Sequence, residues 1–522
     1  MRGTRSATVY GMTLSGFCLC LGLISTRGTV RAGDEAAAVK PDPIAVGYEI
    51  FNREWMPNDP RGHGGDGLGP VYNDTSCVAC HNAGGGGGGG PNSKNIDVLS
   101  ASQFMGGVVV QSPISPIPAK TESTTTLTTV DQLIDFHAGF KGGRTVVLHK
   151  FGSDPNYNDW RARTVQRLLG QVGVPGMFPF QTLTPPQRLQ VADVSAPEPK
   201  NARSDEQIQR IRAAVRAASA SSRQSTVVGP FKVAGSQRNP TALFGLGLVD
   251  AISEHDIDAA AKKQAMETPD VKGRVSRLKD GRVGRLGWKG QTANVEDFVL
   301  NACAVEIGLE VPGHPQASSP QAPKYRTTGL DLTADECSSL VAYVRSLPRP
   351  IERQASGLAE AKHVAAGKSA FASVGCATCH TPKLGGVAGL YSDLLLHDMG
   401  DDTADDGSYS DGFDGSDDPF GPESGPIAAN AASGKPAPSR QARGASQREW
   451  RTPPLWGFRD SGPYLHDGRA QSLDEAVALH GGQGEKAAKA FFALSPRERL
   501  QVEAFLKSLT APAPVALVQR GE

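Results

Sequence analysis

The chain carries no net formal charge, 54 Lys and Arg standing against 54 Asp and Glu. No segment forms a basic domain, so a nucleic-acid partner is not expected. Beyond the leader there is no long hydrophobic run, which excludes a transmembrane anchor once the leader is removed. Cysteine is scarce at eight residues, and Cys18 and Cys20 fall in the leader. Regular structure should also be sparse relative to length, because 61 Gly and 37 Pro favour long connections. The leader itself has Arg2 and Arg5, an apolar stretch over residues 12–24 and a cleavage-like Val30-Arg31-Ala32. Residues 1–32 therefore read as a secretory signal peptide, and the mature protein is expected to be periplasmic or secreted. Neither leader cysteine is followed by the mature start that a lipoprotein needs.

What the chain does have is the pentapeptide Cys-x-x-Cys-His twice, at Cys77-Val78-Ala79-Cys80-His81 and Cys376-Ala377-Thr378-Cys379-His380. The two thiols of such a motif can add to the two vinyl groups of one porphyrin, and the following histidine coordinates the iron. A zinc site would need a second ligand pair nearby, and a thioredoxin-like pair would need a βαβ context; neither is evident. Two covalently bound c-type haems are expected, tethered by Cys77, Cys80, Cys376 and Cys379 and ligated by His81 and His380. Cys303 and Cys337 are the only other cysteines of the mature chain, and in an oxidising compartment a disulfide between them is expected, with two buried free thiols as the alternative.

The two motifs sit in similar surroundings. Gly367-x-x-x-Phe371, in an alanine-rich helical stretch, is matched by Gly47-x-x-x-Phe51, where an inserted loop at residues 57–69 separates the helix from Cys77. Downstream, Leu243-Phe244-Gly245 pairs with Leu455-Trp456-Gly457, and Val295-Glu296-Asp297-Phe298-Val299 pairs with Leu473-Asp474-Glu475-Ala476-Val477. Carrying the last register forward sets His480 opposite Ala302, so only the second half offers a metal ligand there. The expected fold is mainly α with minor β: two cytochrome c-like haem domains with long loops, over residues 33–345 and 346–522.

Longer stretches carry a family resemblance. Gly67-Leu68-Gly69-Pro70 leads to Ser76-Cys77-Val78-Ala79-Cys80-His81-Asn82. Leu394-Leu395-Leu396-His397-Asp398-Met399-Gly400 and Thr452-Pro453-Pro454-Leu455-Trp456 follow, the latter before Pro463-Tyr464-Leu465-His466-Asp467-Gly468-Arg469. Together these resemble the bacterial di-haem cytochrome c peroxidase superfamily, especially its di-haem oxidoreductase branch. The resemblance covers most of the mature chain. It implies that a small periplasmic donor feeds electrons to the second haem and that the first haem reduces hydrogen peroxide or another small oxidant. In peroxidase relatives a methionine ligates the second haem where this chain has His480, so a bis-histidine second haem is expected. The rival readings are oxidation or oxygenation of an organic or protein substrate, and a non-catalytic electron carrier.

A six-coordinate haem suits electron transfer, whereas an open iron can bind a small oxidant. His63, His137, His149, Met105 and Met177 are candidates to close the first iron. His149 ends the strand-like Thr145-Val146-Val147-Leu148-His149 and reads better as a satisfied core histidine. His397 and Met399 are weaker candidates than His480 at the second haem, His397-Asp398 reading equally as a hydrogen-bonded pair. Glu254, His255 and Glu306 are acid/base candidates that spacing does not separate. Arg469 could pair with a propionate, and Trp288 could shorten an electron path, though a packed core Trp is the better reading. Residues 84–90 read as a mobile glycine loop, and the aspartates of residues 401–418 could hold calcium, although their spacing fails the EF-hand pattern and favours a solvated insertion.

Overall fold

The structure is a computed structural model and describes residues 41–103, 129–169, 204–219, 224–405, 407 and 445–513. The leader, Met105 and Met177 lie outside these. Helices dominate the described residues. The first half holds α1 (Pro43–Asn52), α2 (Cys77–Cys80), α3 (Thr129–Phe136), α4 (Tyr157–Leu168), α5 (Ser204–Ala218), α6 (Leu246–Asp250), α7 (Glu254–Glu267), α8 (Val295–Ala302) and α9 (Ala334–Ser346). The second holds α10 (Leu358–Ser373), α11 (Leu473–Ala478), α12 (Glu485–Phe492) and α13 (Pro496–Ser508). Local chemistry sets their ends: Pro43 opens α1 behind an Asp42 cap, and reciprocal Thr333/Glu336 and Ser495/Glu498 capping boxes start α9 and α13.

Two helix crossings are built alike. Where α1 meets α9, a Cβ on Gly47 would collide with the Ser339 carbonyl; where α10 meets α13, one on Gly367 would collide with the Gln501 carbonyl. Glycine is what lets these backbones touch. One turn along, Phe51 meets Tyr343 with ring centroids 5.3 Å apart, and Phe371 meets Phe505 at 5.5 Å. Ser339 to Tyr343 and Gln501 to Phe505 are the same i,i+4 step, so each final helix offers the same face.

The repeat continues downstream at one constant offset. Leu286 bridges Thr292 as Tyr464 bridges Ala470. Gly287 and Leu465 share left-handed φ values of 77° and 71°, as do Gly290 and Gly468 at 60° and 69°. Asn294 caps α8 through the Asp297 amide, and Ser472 caps α11 through the Glu475 amide. The same offset relates Ala302 to His480.

An insertion in the first half supplies most of the sheet. Four antiparallel strands run in the order Thr145–Leu148, Ile96–Gln103, Phe231–Arg238, Ser225–Val228. Leu99, Leu133, Phe136, Phe140, Val165 and Val233 give it a core of its own. Helix α5 behaves differently: its Ile208, 1% exposed, belongs to the core of the second half with Phe371, Phe491 and Phe505, and it packs on α11 and α12.

The expected disulfide is corrected here. Cys303 and Cys337 are both free and buried in the first-half core with Leu300, Leu340 and Val341. Burial raises both thiols, Cys337 to about 11, and suppresses the thiolate that exchange requires. They pack as small apolar side chains. Among the described residues no helix is long and apolar enough to cross a membrane.

Candidate functional site

After α10, Gly375 at φ 95° turns the chain into the single turn Cys376–Thr378. Cys376, Cys379 and His380 line a cavity of about 670 Å³, together with Phe371, Phe491, Leu506 and His480. This is the size range of cofactor sites. The Nδ1 of His380 lies 3.0 Å from the Tyr391 carbonyl oxygen, and that of His480 lies 2.7 Å from the Ala476 carbonyl oxygen. A carbonyl only accepts, so each Nδ1–H donates and each Nε2 lone pair is left for a metal. Burial lowers both imidazole pKa values, that of His380 to about 4, with neighbouring His480 its second cause. Neutral imidazole is the ligating form. Two thiols, two neutral imidazoles and an apolar wall are what a haem requires, so these residues fit that group.

At the first centre, Ser76 caps the short helix α2 that carries Cys77 and Cys80, and His81 follows with Nδ1 3.1 Å from the Gly88 carbonyl oxygen. The glycine run that provides this carbonyl is a folded element, contrary to the expectation of a mobile loop. Ala83 bridges Gly89, the Gly87 amide donates to the His81 carbonyl at 2.9 Å, and a Cβ on Gly88 would strike the Ala83 carbonyl. The glycines permit a tight seat for His81. Thr241, Phe244, Leu286 and Trp288 line the same cavity as their repeat partners Pro453, Trp456, Tyr464 and His466.

Where the second half has His480, the first has Ala302, and the helix widens into a π turn over Cys303–Ile307. One turn beyond Ala302 stands Glu306. Its Oε2 accepts from Asn73 Nδ2 at 2.7 Å, and its carbonyl accepts from the Asn73 amide at 2.7 Å. The Cys80 thiol pKa is raised chiefly by burial and then by the carboxylates of Asp74 and Glu306, and Asn73 ties Glu306 to the segment that leads into Cys77. Glu254 instead pairs with Arg277 at 3.3 Å, and His255 is exposed.

A family model described as "Di-haem oxidoreductase, putative peroxidase" matches residues 210–418 and 432–509, more than half of the chain. The chain belongs to this family. Its cofactors are therefore haems, and its chemistry is that of an oxidoreductase. No curated protein matches the chain. Solved structures similar to it include a MauG-like protein associated with microbial copper homeostasis, at 17% identity and TM-score 0.25, covering 50% of this chain and 90% of that one. The hydrazine synthase of Kuenenia stuttgartiensis is similar at 20% identity and TM-score 0.22, covering 49% and 88%. At such TM-scores neither likeness bears on the fold.

The remaining candidates of this di-haem oxidoreductase fall into place by their partners. His397 binds Asp393 through Nε2 at 2.9 Å and Gln483 through Nδ1 at 2.8 Å, and lies 3.7 Å from the Cys379 sulfur. Both nitrogens are engaged, so it is a hydrogen-bonded neighbour of the second centre, its partner Asp393 rather than the adjacent Asp398. Met399 lines the cavity. His63 pairs with Glu336 at 2.7 Å near the surface, His149 Nε2 meets the Val305 carbonyl at 2.8 Å, and His137 accepts from the Gly139 amide within the insertion. Arg469 is held by Asp467 at 2.8 Å and by the Asp402 carbonyl at 2.9 Å. At the start of the acidic run, Asp402 and Asp405 pair with Arg216 and Arg238 at 2.5 and 2.6 Å, so arginines engage both carboxylates. Residues 406 and 408–418 of that run lie outside the described residues.

Sequence reasoning did not find the junction between the repeats. Trp288 Nε1 donates to the Asn239 carbonyl at 2.9 Å, and the Asn239 amide donates to the His466 carbonyl at 2.7 Å. Trp288 and His466 are repeat partners, so both copies of one loop grip the same residue. Trp450 stacks on His466, with centroids 3.7 Å apart and planes at 12°. The nearby repeat anchor Leu243-Phe244-Gly245 is the available signal, but nothing local marks Asn239 as the shared partner.

Proposed function

We propose that this chain is an exported di-haem c-type oxidoreductase of peroxidase type, with cytochrome c-like domains over residues 33–345 and 346–522. Cys77 and Cys80 tether one haem and Cys376 and Cys379 the other, with His81 and His380 as proximal ligands. When bound, haem would supply the iron redox chemistry and a site for a small oxidant. The observation that carries the reading is the unequal pair at the repeat-related positions: His480 in one half, Ala302 followed by Glu306 in the other.

His380 and His480 present Nε2 into one cavity, which supports a saturated second centre suited to electron transfer. Ala302 offers no ligand, so a haem held by Cys77, Cys80 and His81 would leave room for hydrogen peroxide. Glu306, held by Asn73 at 2.7 Å, is the residue that moves a proton between the peroxide oxygens. A small periplasmic donor would supply electrons to the haem that Cys376, Cys379, His380 and His480 would hold. The aromatic groups of Trp288, Trp450 and His466, all in the cavity wall, serve passage towards the first.

The test is an optical and electron paramagnetic resonance titration of the purified di-haem protein, oxidised and half-reduced, with peroxide and cyanide. A reactive high-spin centre beside an inert low-spin one supports the proposal. Two unreactive low-spin centres in both states would make the protein an electron carrier.

A further inference from the structure

We propose that Arg212, on helix α5, is a positioning residue for the distal ligand of the second haem, fixing the turn that carries His480. The proposal rests on the reading of His480 as that ligand. Arg212 lies one turn after Ile208 and therefore on the same buried face of α5, and it is 7% exposed. Its Nε donates to the Ala478 carbonyl at 2.6 Å, and its Nη2 reaches the His480 carbonyl at 3.5 Å and Glu485 Oε2 at 2.5 Å. Asp402 lies 3.3 Å from its Nε.

These contacts answer a specific need. Helix α11 ends at Ala478; the Glu475 and Val477 carbonyls accept from the Leu479 and His480 amides and the Ala476 carbonyl from the His480 ring, while the Ala478 carbonyl is met by Arg212. A cation at this carbonyl also complements the negative end of the helix. The residues after His480 are Gly481 and Gly482, the latter at φ 52°, and two glycines do little to stiffen a turn. The ring is aimed by its Nδ1–H to Ala476, while the backbone beneath it is clamped by a guanidinium from a segment 266 to 273 residues away in the chain. Glu485 and Asp402 balance the buried charge, which is the condition under which burying an arginine is tolerated. The planar fork can meet carbonyl and carboxylate together, as a lysine ammonium cannot. Docking of α5, a first-half segment, is thereby coupled to ligation in the second half.

The experiment uses the haem-loaded protein and the variants Arg212→Ala, Arg212→Lys and His480→Ala, read by optical and paramagnetic spectra, cyanide binding and the second haem's midpoint potential. For Arg212→Ala the high-spin, cyanide-accessible fraction of the second haem should rise by about tenfold, with a shifted potential and an unchanged first haem. Arg212→Lys should fall between wild type and alanine, and it carries the test should the alanine variant fail to accumulate. A purely architectural role would lower the unfolding temperature while leaving the second haem low-spin, cyanide-inert and at its wild-type potential below that temperature; that result overturns the proposal. His480→Ala separates the two ideas. If it leaves the second haem's spectrum unchanged, the ligand reading falls whatever Arg212 does. If it converts that haem to high spin while both Arg212 variants match wild type, only the positioning role falls.

Discussion

The first and second halves agree closely in how backbone meets backbone and disagree in which side chains stand at the repeat-related positions. Gly47 against Ser339 and Gly367 against Gln501 make one crossing twice, and the loops ending at Asn294 and Ser472 share left-handed residues, a bridge and a cap. On this common scaffold the chain sets Ala302 against His480 and Trp288 against His466. On the proposed assignment the residues that would seat the haems are separate from those that would set their reactivity, so each can be altered without the other.

Removing a tether pair should have the largest effect. Cys376→Ala with Cys379→Ala is expected to halve covalent haem, read as the pyridine haemochrome per chain, and to abolish the low-spin signal. The matching change at Cys77 and Cys80 should halve it while sparing that signal. A sharper break exchanges the differing residue: Ala302→His should convert the first centre to low spin and suppress cyanide binding there. An unchanged first centre would mean that the repeat register does not carry over to the metal. Glu306→Gln should lower peroxide turnover by about 10²–10⁴-fold with spectra intact. Turnover within a few-fold of wild type would remove Glu306 from proton transfer.

Much of this comparison was legible in the sequence because its signals are local. The haem motifs, the Gly-x-x-x-Phe pairs and the acidic helix starts are short patterns whose spacing dictates their geometry, and the register that opposed His480 to Ala302 holds through caps and turns. What escaped depends on distant partners. Nothing near Arg212 marks it as clamping carbonyls at Ala478 and His480. Residues 84–90 were misread because composition does not distinguish a glycine loop that moves from one that packs against Ala83 and presents a carbonyl to His81. The disulfide was inferred from compartment and count, which say nothing of whether two buried thiols face each other.

The helix crossings should be more sensitive to size than to polarity. Gly47→Ala and Gly367→Ala each push a methyl into a backbone carbonyl, and overpacking of this kind typically costs about 1–3 kcal/mol. Denaturant unfolding should show similar losses for the two, since the crossings are equivalent. A loss confined to one would show that the halves are less alike in packing than their contacts indicate.

The smallest expected effect concerns acid stability, and it separates the halves at Trp288 and His466. Burial lowers the His466 pKa from 6.5 to about 4, against the opposing pull of Asp467 and Asp405, and its Nε2–H donates to Asp405 at 3.0 Å in the neutral form. The unfolded chain binds this proton first, so stability is fully present above about pH 6.5 and falls as pH drops towards 4. The repeat partner Trp288 has no proton to gain. His466→Gln should therefore flatten the decline of unfolding free energy between pH 6.5 and 4, whereas Trp288→Phe should leave its slope unchanged. Parallel curves for wild type and His466→Gln would show that the acid sensitivity resides in other groups.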